Sequence, residues 1–277
     1  MTETKGVAFV NKLVRDMAQG GLEIACFPEV ATKLVRSLDS DFVTVPSIAR
    51  MIESEPALSV RVIGMANSAA FQGGGRAITD ARSAVVRIGL RSLRAVILAF
   101  AMSSLRDRRE LKLVQARVGE VWQRSVTLAT FSHVLAMRVR GADSEGAMLG
   151  ALMQGVGRIF LFTEAAFDKE FRDDIEGLDD IVEQWHVGAL GKILEQWGFG
   201  TNIIEAAIEF HGDGSRSALA DVLKTAQLFL DHQQDLDQLK LRLNDFQPAV
   251  RLGLTHLEPK EVLETVKKDA SVGTALG

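Results

Sequence analysis

His186 and His211 are the side chains of this sequence best suited to hold a metal ion. Imidazole is a common transition-metal ligand. Glu183 lies three residues before His186, on the same face if that stretch is helical. Two imidazoles and a carboxylate could bind a divalent cation and activate water. The competing reading makes both histidines polar groups hydrogen-bonded where helices pack, and it is the simpler one. No bound metal and no cofactor is therefore expected. His133, His232 and His256 have no partner at a recognisable spacing and are given no role. Cys26 is the single cysteine, which excludes an internal disulfide and a CxxC-type metal site. Beside Phe27 it reads as a packing residue rather than a nucleophile.

Charge is the second resource. Residues 76–109 carry eight arginines against Asp80 and Asp107, and Arg87, Arg91 and Arg94 fall at i, i+4 and i+7. Such a stripe could meet nucleic acid or a nucleotide phosphate. Aromatic residues are sparse there and no DNA-reading motif accompanies it. Residues 168–183 are strongly acidic. The expected counterpart of the stripe is therefore an acidic surface, on another lobe, a second copy or a partner protein. Nucleic acid is not an expected partner. Gln72–Gly75 with Arg76 lacks the phosphate-loop pattern and reads as a flexible link. No Ser-x-x-Lys, Gly-x-Ser-x-Gly or His-Glu-x-x-His occurs. Asn67 and Ser68 are expected to cap a helix end and tie down the following turn.

These side chains need a scaffold, and the scaffold reads as helical throughout. The chain has 277 residues, 47% of them hydrophobic and 25% charged, with a formal net charge of −4. That length can bury a large core, and that charge gives no general pull toward nucleic acid or anionic lipid. No run of 18 apolar residues appears, and the N-terminus is charged too early for a secretory leader, so no membrane span is expected. A reducing cytoplasm is the expected compartment.

Helical periodicity runs over Val7–Ala18 and Gly20-Gly21 breaks it. Pro28 opens a helix to Leu38. Thr44 caps a third, with Pro46 in its first turn. That helix ends at Glu55, before Pro56 opens a fourth. Thr79 caps a helix to Ile88 that Gly89 ends, and Arg91–Leu105 forms the next. Arg109–Arg140 reads as one long helix. Leu149–Phe162 is apolar nearly all round and is expected to be the buried central helix. Its glycines, Gly150, Gly155 and Gly157, are expected to allow close backbone packing. Leu178–Trp197, Ile203–Phe210 and Ala218–Leu230 follow. Weaker helical patterns run from Leu236 to Val266, and Ser271–Gly277 is expected to fray. No strand-like alternation of any length occurs.

Four fragments together resemble the HDOD family, a signalling-associated relative of the HD-type metal phosphohydrolases. They are FPEVATKLVRSL at 27–38, ESEPALSVRVIGMANSAAF at 55–71, ITDARSAVVRIGLRSLRAVIL at 78–98, and HVGALGKILEQWG at 186–198 followed by IIEAAIEFH ending at His211. The resemblance implies an all-α, multi-helix HD-like bundle. An N-terminal helix over 1–19 precedes an HDOD domain over 20–215, with an N-terminal helical lobe over 20–108 packed on an HD-like lobe over 109–215. Helices over 216–277 complete the HD-like lobe. HD chemistry uses four metal ligands, a His, a His-Asp pair and a later Asp. By motif position the first falls on Arg124, the pair on Gln154 and Gly155, and the last on Gln227. An arginine, a glycine and two neutral amides do not make an ordinary metal site. The resemblance therefore implies a non-catalytic cytoplasmic signal-transduction module that binds a signalling protein or forms a homo-oligomer. The alternatives are a metal-dependent phosphohydrolase with a displaced site, and a nucleotide-binding sensor.

Overall fold

The structure is a computed structural model that describes residues 2–18, 28–38, 40, 42–72, 75–105, 109–169, 171 and 175–268. Cys26, Gly20-Gly21, Gly73-Gly74 and the tail from Ser271 lie outside the described residues. So do Glu170, Asp173 and Asp174 of the acidic stretch, and Arg106, Asp107 and Arg108 of the basic one. Helix is the regular structure of the described residues, with no strand among them. An N-terminal helical lobe packs on an HD-like lobe.

The N-terminal lobe holds α2 (Glu29–Leu38), α3 (Val45–Glu53), α4 (Pro56–Ala66), α5 (Ala69–Gln72) and α6 (Ala81–Ser104). Local chemistry sets these boundaries. Thr44 accepts a hydrogen bond from the Ser47 amide, Ser47 returns one, and Pro46 occupies the first turn of α3. The cap of α6 is Asp80 rather than Thr79, accepting from the Ser83 amide at 2.8 Å. α6 bends sharply at Gly89, where φ is +73° and ψ is 165°. A residue with a Cβ is strained there, so glycine lets two helical runs join at an angle. The Asn67 side chain clamps the turn as expected, donating to the Ile78 carbonyl at 2.7 Å and accepting from its amide at 2.8 Å.

The HD-like lobe starts with a 3₁₀ turn at Arg109–Leu111, and its first helix is α7 (Gln115–Ala136). The expected single helix over Arg109–Arg140 is thus shorter at both ends. α8 (Ser144–Leu152) and α9 (Val156–Phe167) are joined by a 3₁₀ turn at Met153–Gly155. Together they make a rod that is 94% buried over its most apolar window. Its length and composition would suit a bilayer, but the protein itself covers it, so it is a core helix. α10 (Leu178–Gln196) crosses α9 at Gly157, where an added Cβ would lie 2.1 Å from the His186 carbonyl oxygen. Gly155 likewise abuts Ser125 and Val121 of α7, whereas Gly150 would meet side chains only at ordinary contact distance, so close packing does not account for it.

α11 (Thr201–Glu209) and α12 (Ala218–His232) follow, and α12 packs on α7. The weak pattern after Leu236 resolves into α13 (Leu236–Asp245), α14 (Gln247–Arg251) and α15 (Pro259–Lys268). α14 packs on α12 and α15 on α7. α1 (Thr2–Ala18) lies against the HD-like lobe, with Phe9 edge-on to Phe171 and Lys12 3.0 Å from Asp168.

Candidate functional site

α7, the 3₁₀ turn at 153–155, α9, the end of α11, α12 and α13 enclose a cleft of about 650 Å³. Arg124, Gln154, Gly155 and Gln227 all line it. α7 presents Arg124, and one of its guanidinium nitrogens lies 2.6 Å from Asp231. Asp231 is one turn beyond Gln227 on α12, and the Gln227 amide donates to the same carboxylate oxygen at 2.7 Å. Gln154 is buried; its amide donates to the Gly150 carbonyl at 3.1 Å, and its Oε1 has no partner among the described residues. A cation already pairs with a carboxylate where the resemblance would place a metal.

His186, His211 and Glu183 do not form a ligand set. Nδ1 of His186 faces the carbonyls of Val182 and Glu183 at 3.1 and 2.9 Å, so that nitrogen carries the proton. Nε2 of His186 is then an acceptor, and His211 Nδ1 donates to it at 3.4 Å. Burial first, and Arg158 second, lower the His186 pKa below its ordinary value. Burial, then His186, lowers that of His211 to about 3. Both rings are neutral packing groups, and the Glu183 carboxylate turns away to Arg158 at 2.8 Å. That pair holds the Glu183 pKa below the ordinary carboxylate range. Among the described residues no three His, Cys, Asp or Glu side chains cluster as a metal site.

The arginine stripe is also spent within the chain. Arg87 donates to the carbonyls of Ala66 and Arg76, at 3.2 and 2.9 Å, and so reinforces the Asn67 clamp. Arg91 grips Asp143 with two nitrogens at 2.7 and 3.2 Å. Arg94 donates to the Trp197 carbonyl and stands 6.0 Å from the Phe199 ring centre. Within the chain the acidic residues this stripe meets are Asp143 and Glu145, through Arg91, rather than residues 168–183. The acids of that later stretch are met from elsewhere, Asp168 by Lys12, Asp179 by Arg117 and Glu183 by Arg158.

The cleft also has features that the sequence reading missed. Arg158, Lys224 and Arg242 join Arg124, so four cationic side chains face Glu120 and Asp231. Arg158 is one helical turn past Gln154, and Asp231 one turn past Gln227. Extending each motif position by four residues would have found both.

The sequence matches the HDOD domain family over residues 24–213. No curated protein matches it. Among solved structures, a candidate metal-dependent phosphohydrolase from Shewanella amazonensis SB2B is similar over 99% of this chain and 100% of its own, with TM-score 0.74 and 21% identity. An HDOD domain protein of unknown function from Geobacter sulfurreducens has TM-score 0.56 and 17% identity, over 96% of each chain. A candidate signal transduction protein from Marinobacter aquaeolei VT8 has TM-score 0.58 and 16% identity, over 98% of this chain and 66% of its own. At these identities the likeness is one of fold. The match covers well over half of the sequence and the same helical bundle underlies it: the chain belongs to the HDOD family.

Proposed function

We propose that the chain is a non-catalytic signal-transduction module of the cytoplasm that acts by binding another protein. One observation carries this reading: Arg124, which the resemblance sets at an HD ligand position, is paired with Asp231 in a cleft also lined by Gln154 and Gly155, the residues it sets at the His-Asp pair. A guanidinium repels a divalent cation, and neither glycine nor a neutral amide replaces an imidazole and a carboxylate. The HDOD membership and the fold shared with a candidate signal transduction protein support a regulatory role. The displaced metal site at His186, His211 and Glu183 is not favoured, because Glu183 is committed to Arg158.

The test is elemental analysis of the purified chain, with hydrolysis of a chromogenic phosphodiester in the presence of manganese, iron or zinc. We expect substoichiometric metal and no metal-dependent turnover, in wild type and in Gly155→Asp alike. In that variant the new Cβ would lie 2.5 Å from Ser125 Oγ and 2.7 Å from Val121 Cγ1. Overpacking should cost about 1–3 kcal/mol, and the new carboxylate would sit beside Arg124. One metal per chain together with turnover by wild type would overturn the non-catalytic reading. The protein partner is sought by cross-linking in the native cell, and exchange of the whole molecule between lone monomers with no partner captured would count against it.

A further inference from the structure

We infer that the cleft binds a small organic phosphate directly on cationic side chains, with no metal between protein and ligand. This goes beyond the non-catalytic reading, which specifies no ligand, and it stands or falls separately.

The first observation is charge. The chain as a whole is acidic, with formal net charge −4. Its cleft nevertheless carries twice as many cations as carboxylates. Arg124 is neutralised by Asp231 and Arg158 by Glu183. Lys224 donates to backbone carbonyls, among them Gly214 at 2.7 Å, so its charge is not cancelled by a carboxylate. Arg242 has no ionic partner among the described residues. Lys224 on α12 and Arg242 on α13 thus face the cleft with no carboxylate bonded to either, against Glu120 in the same lining, an excess of one positive charge. Such donors suit phosphate oxygens, since charge-assisted hydrogen bonds are the stronger kind.

The second observation is the remaining lining. Phe210, Phe246, Leu128 and Leu228 line the same cleft and supply apolar and aromatic wall, which suits an organic body rather than bare phosphate. A cleft of about 650 Å³ falls in the range of small-molecule sites. A nucleoside phosphate has both parts: an anionic end and a flat ring that stacks on aromatic side chains.

Isothermal titration of the full chain with ADP, GDP and UDP, and with pyrophosphate and adenosine for comparison, tests this. We expect at least one nucleotide to bind, more tightly than pyrophosphate, with adenosine far weaker and with affinity falling as salt rises. Arg242 is exposed and bonded to nothing that folding needs, so Arg242→Glu should fold normally and weaken nucleotide binding by at least about tenfold, the loss of one good charged contact. Lys224→Met should weaken it similarly. The inference is overturned if none of the three nucleotides binds at millimolar concentration, if Arg242→Glu binds as wild type does, or if pyrophosphate binds as tightly as the nucleotides. Chromatography of the titrated nucleotide separates the two readings. An intact nucleotide supports both, whereas a cleaved one leaves the cleft site standing and removes the non-catalytic claim.

Discussion

The pair His186 and His211 has its protons assigned by its neighbours. Two carbonyls take the Nδ1–H of His186, and His186 Nε2 takes that of His211. A second proton on His186 would have to displace its neighbour in a buried site beside Arg158. Both pKa values are consequently lowered, that of His211 to about 3 from an ordinary 6.5. Unfolding restores the ordinary value, so below pH 6.5 the unfolded chain holds protons that the folded chain does not. Stability from His211 is full above about pH 6.5 and is lost as pH falls toward 3, at up to about 1.4 kcal/mol per pH unit, and His186 contributes in the same direction. Asp179 and Glu183, also held low by their arginines, add their losses only below the ordinary carboxylate range. The window from pH 7 to 5 therefore isolates the histidines. The urea midpoint should fall across it, and the fall should be shallower in His211→Gln. A midpoint that stays level from pH 7 to 5 would contradict the neutral pair.

Among the elements, the rod of α8 and α9 depends on where its glycines meet other backbone. At Gly157 a Cβ would sit 2.1 Å from the His186 carbonyl and 3.0 Å from the Leu190 amide nitrogen. Neither is a side chain that can swing aside. Gly157→Ala should therefore force α9 away from α10 and destabilise by roughly 3 kcal/mol or more. Gly150 is the internal control. Its Cβ would meet Leu223 and Ile203 side chains at 3.6 and 3.9 Å, ordinary contact in a helical position. Gly150→Ala should be neutral or stabilising by up to about 1 kcal/mol, because the alanine costs less entropy to hold helical. Thermal melts of the two variants give the comparison. Equal effects would mean that the approach of α9 to α10 is looser than described.

Over the whole molecule, the residues just past the bend at Gly89 tie the two lobes. Arg91 reaches Asp143, which also caps α8 by accepting from the Gly146 amide, and Ser92 donates to Glu145 at 3.0 Å. Arg94 reaches the end of α10 at Trp197. Reversing Arg91 and Arg94 to Glu sets new carboxylates against Asp143 and Glu145 and removes the donor to Trp197. Single exposed pairs contribute only about 0–1 kcal/mol, but reversal adds repulsion, so a combined loss of roughly 2 kcal/mol is expected. The melting temperature should drop, and proteolysis between the lobes should quicken. An unchanged melt and digestion pattern would show that apolar packing alone docks the lobes.

What the sequence determined by itself is what short-range chemistry controls. Thr44 with Ser47 and Pro46 marks a helix start and Gly89 an interruption, because each acts on backbone within a few residues; Asn67 marks a clamped turn, though its partner Ile78 is eleven residues on. Periodicity and the four fragments were enough for an all-α HDOD bundle, and they led the resemblance to Arg124, Gln154 and Gly155, which line one cleft. Tertiary structure alone decided what they meet there. Arg124 and Asp231 are 107 positions apart, and the cleft draws on residues from Glu120 to Phe246. No local hydrogen bond or helical period links such positions; they meet because helices pack. For the same reason an acidic counterpart of the arginine stripe could be expected from the sequence, but not which residues supply it. Its partners, Asp143 and Trp197, are brought to it only by the docking of one lobe on the other.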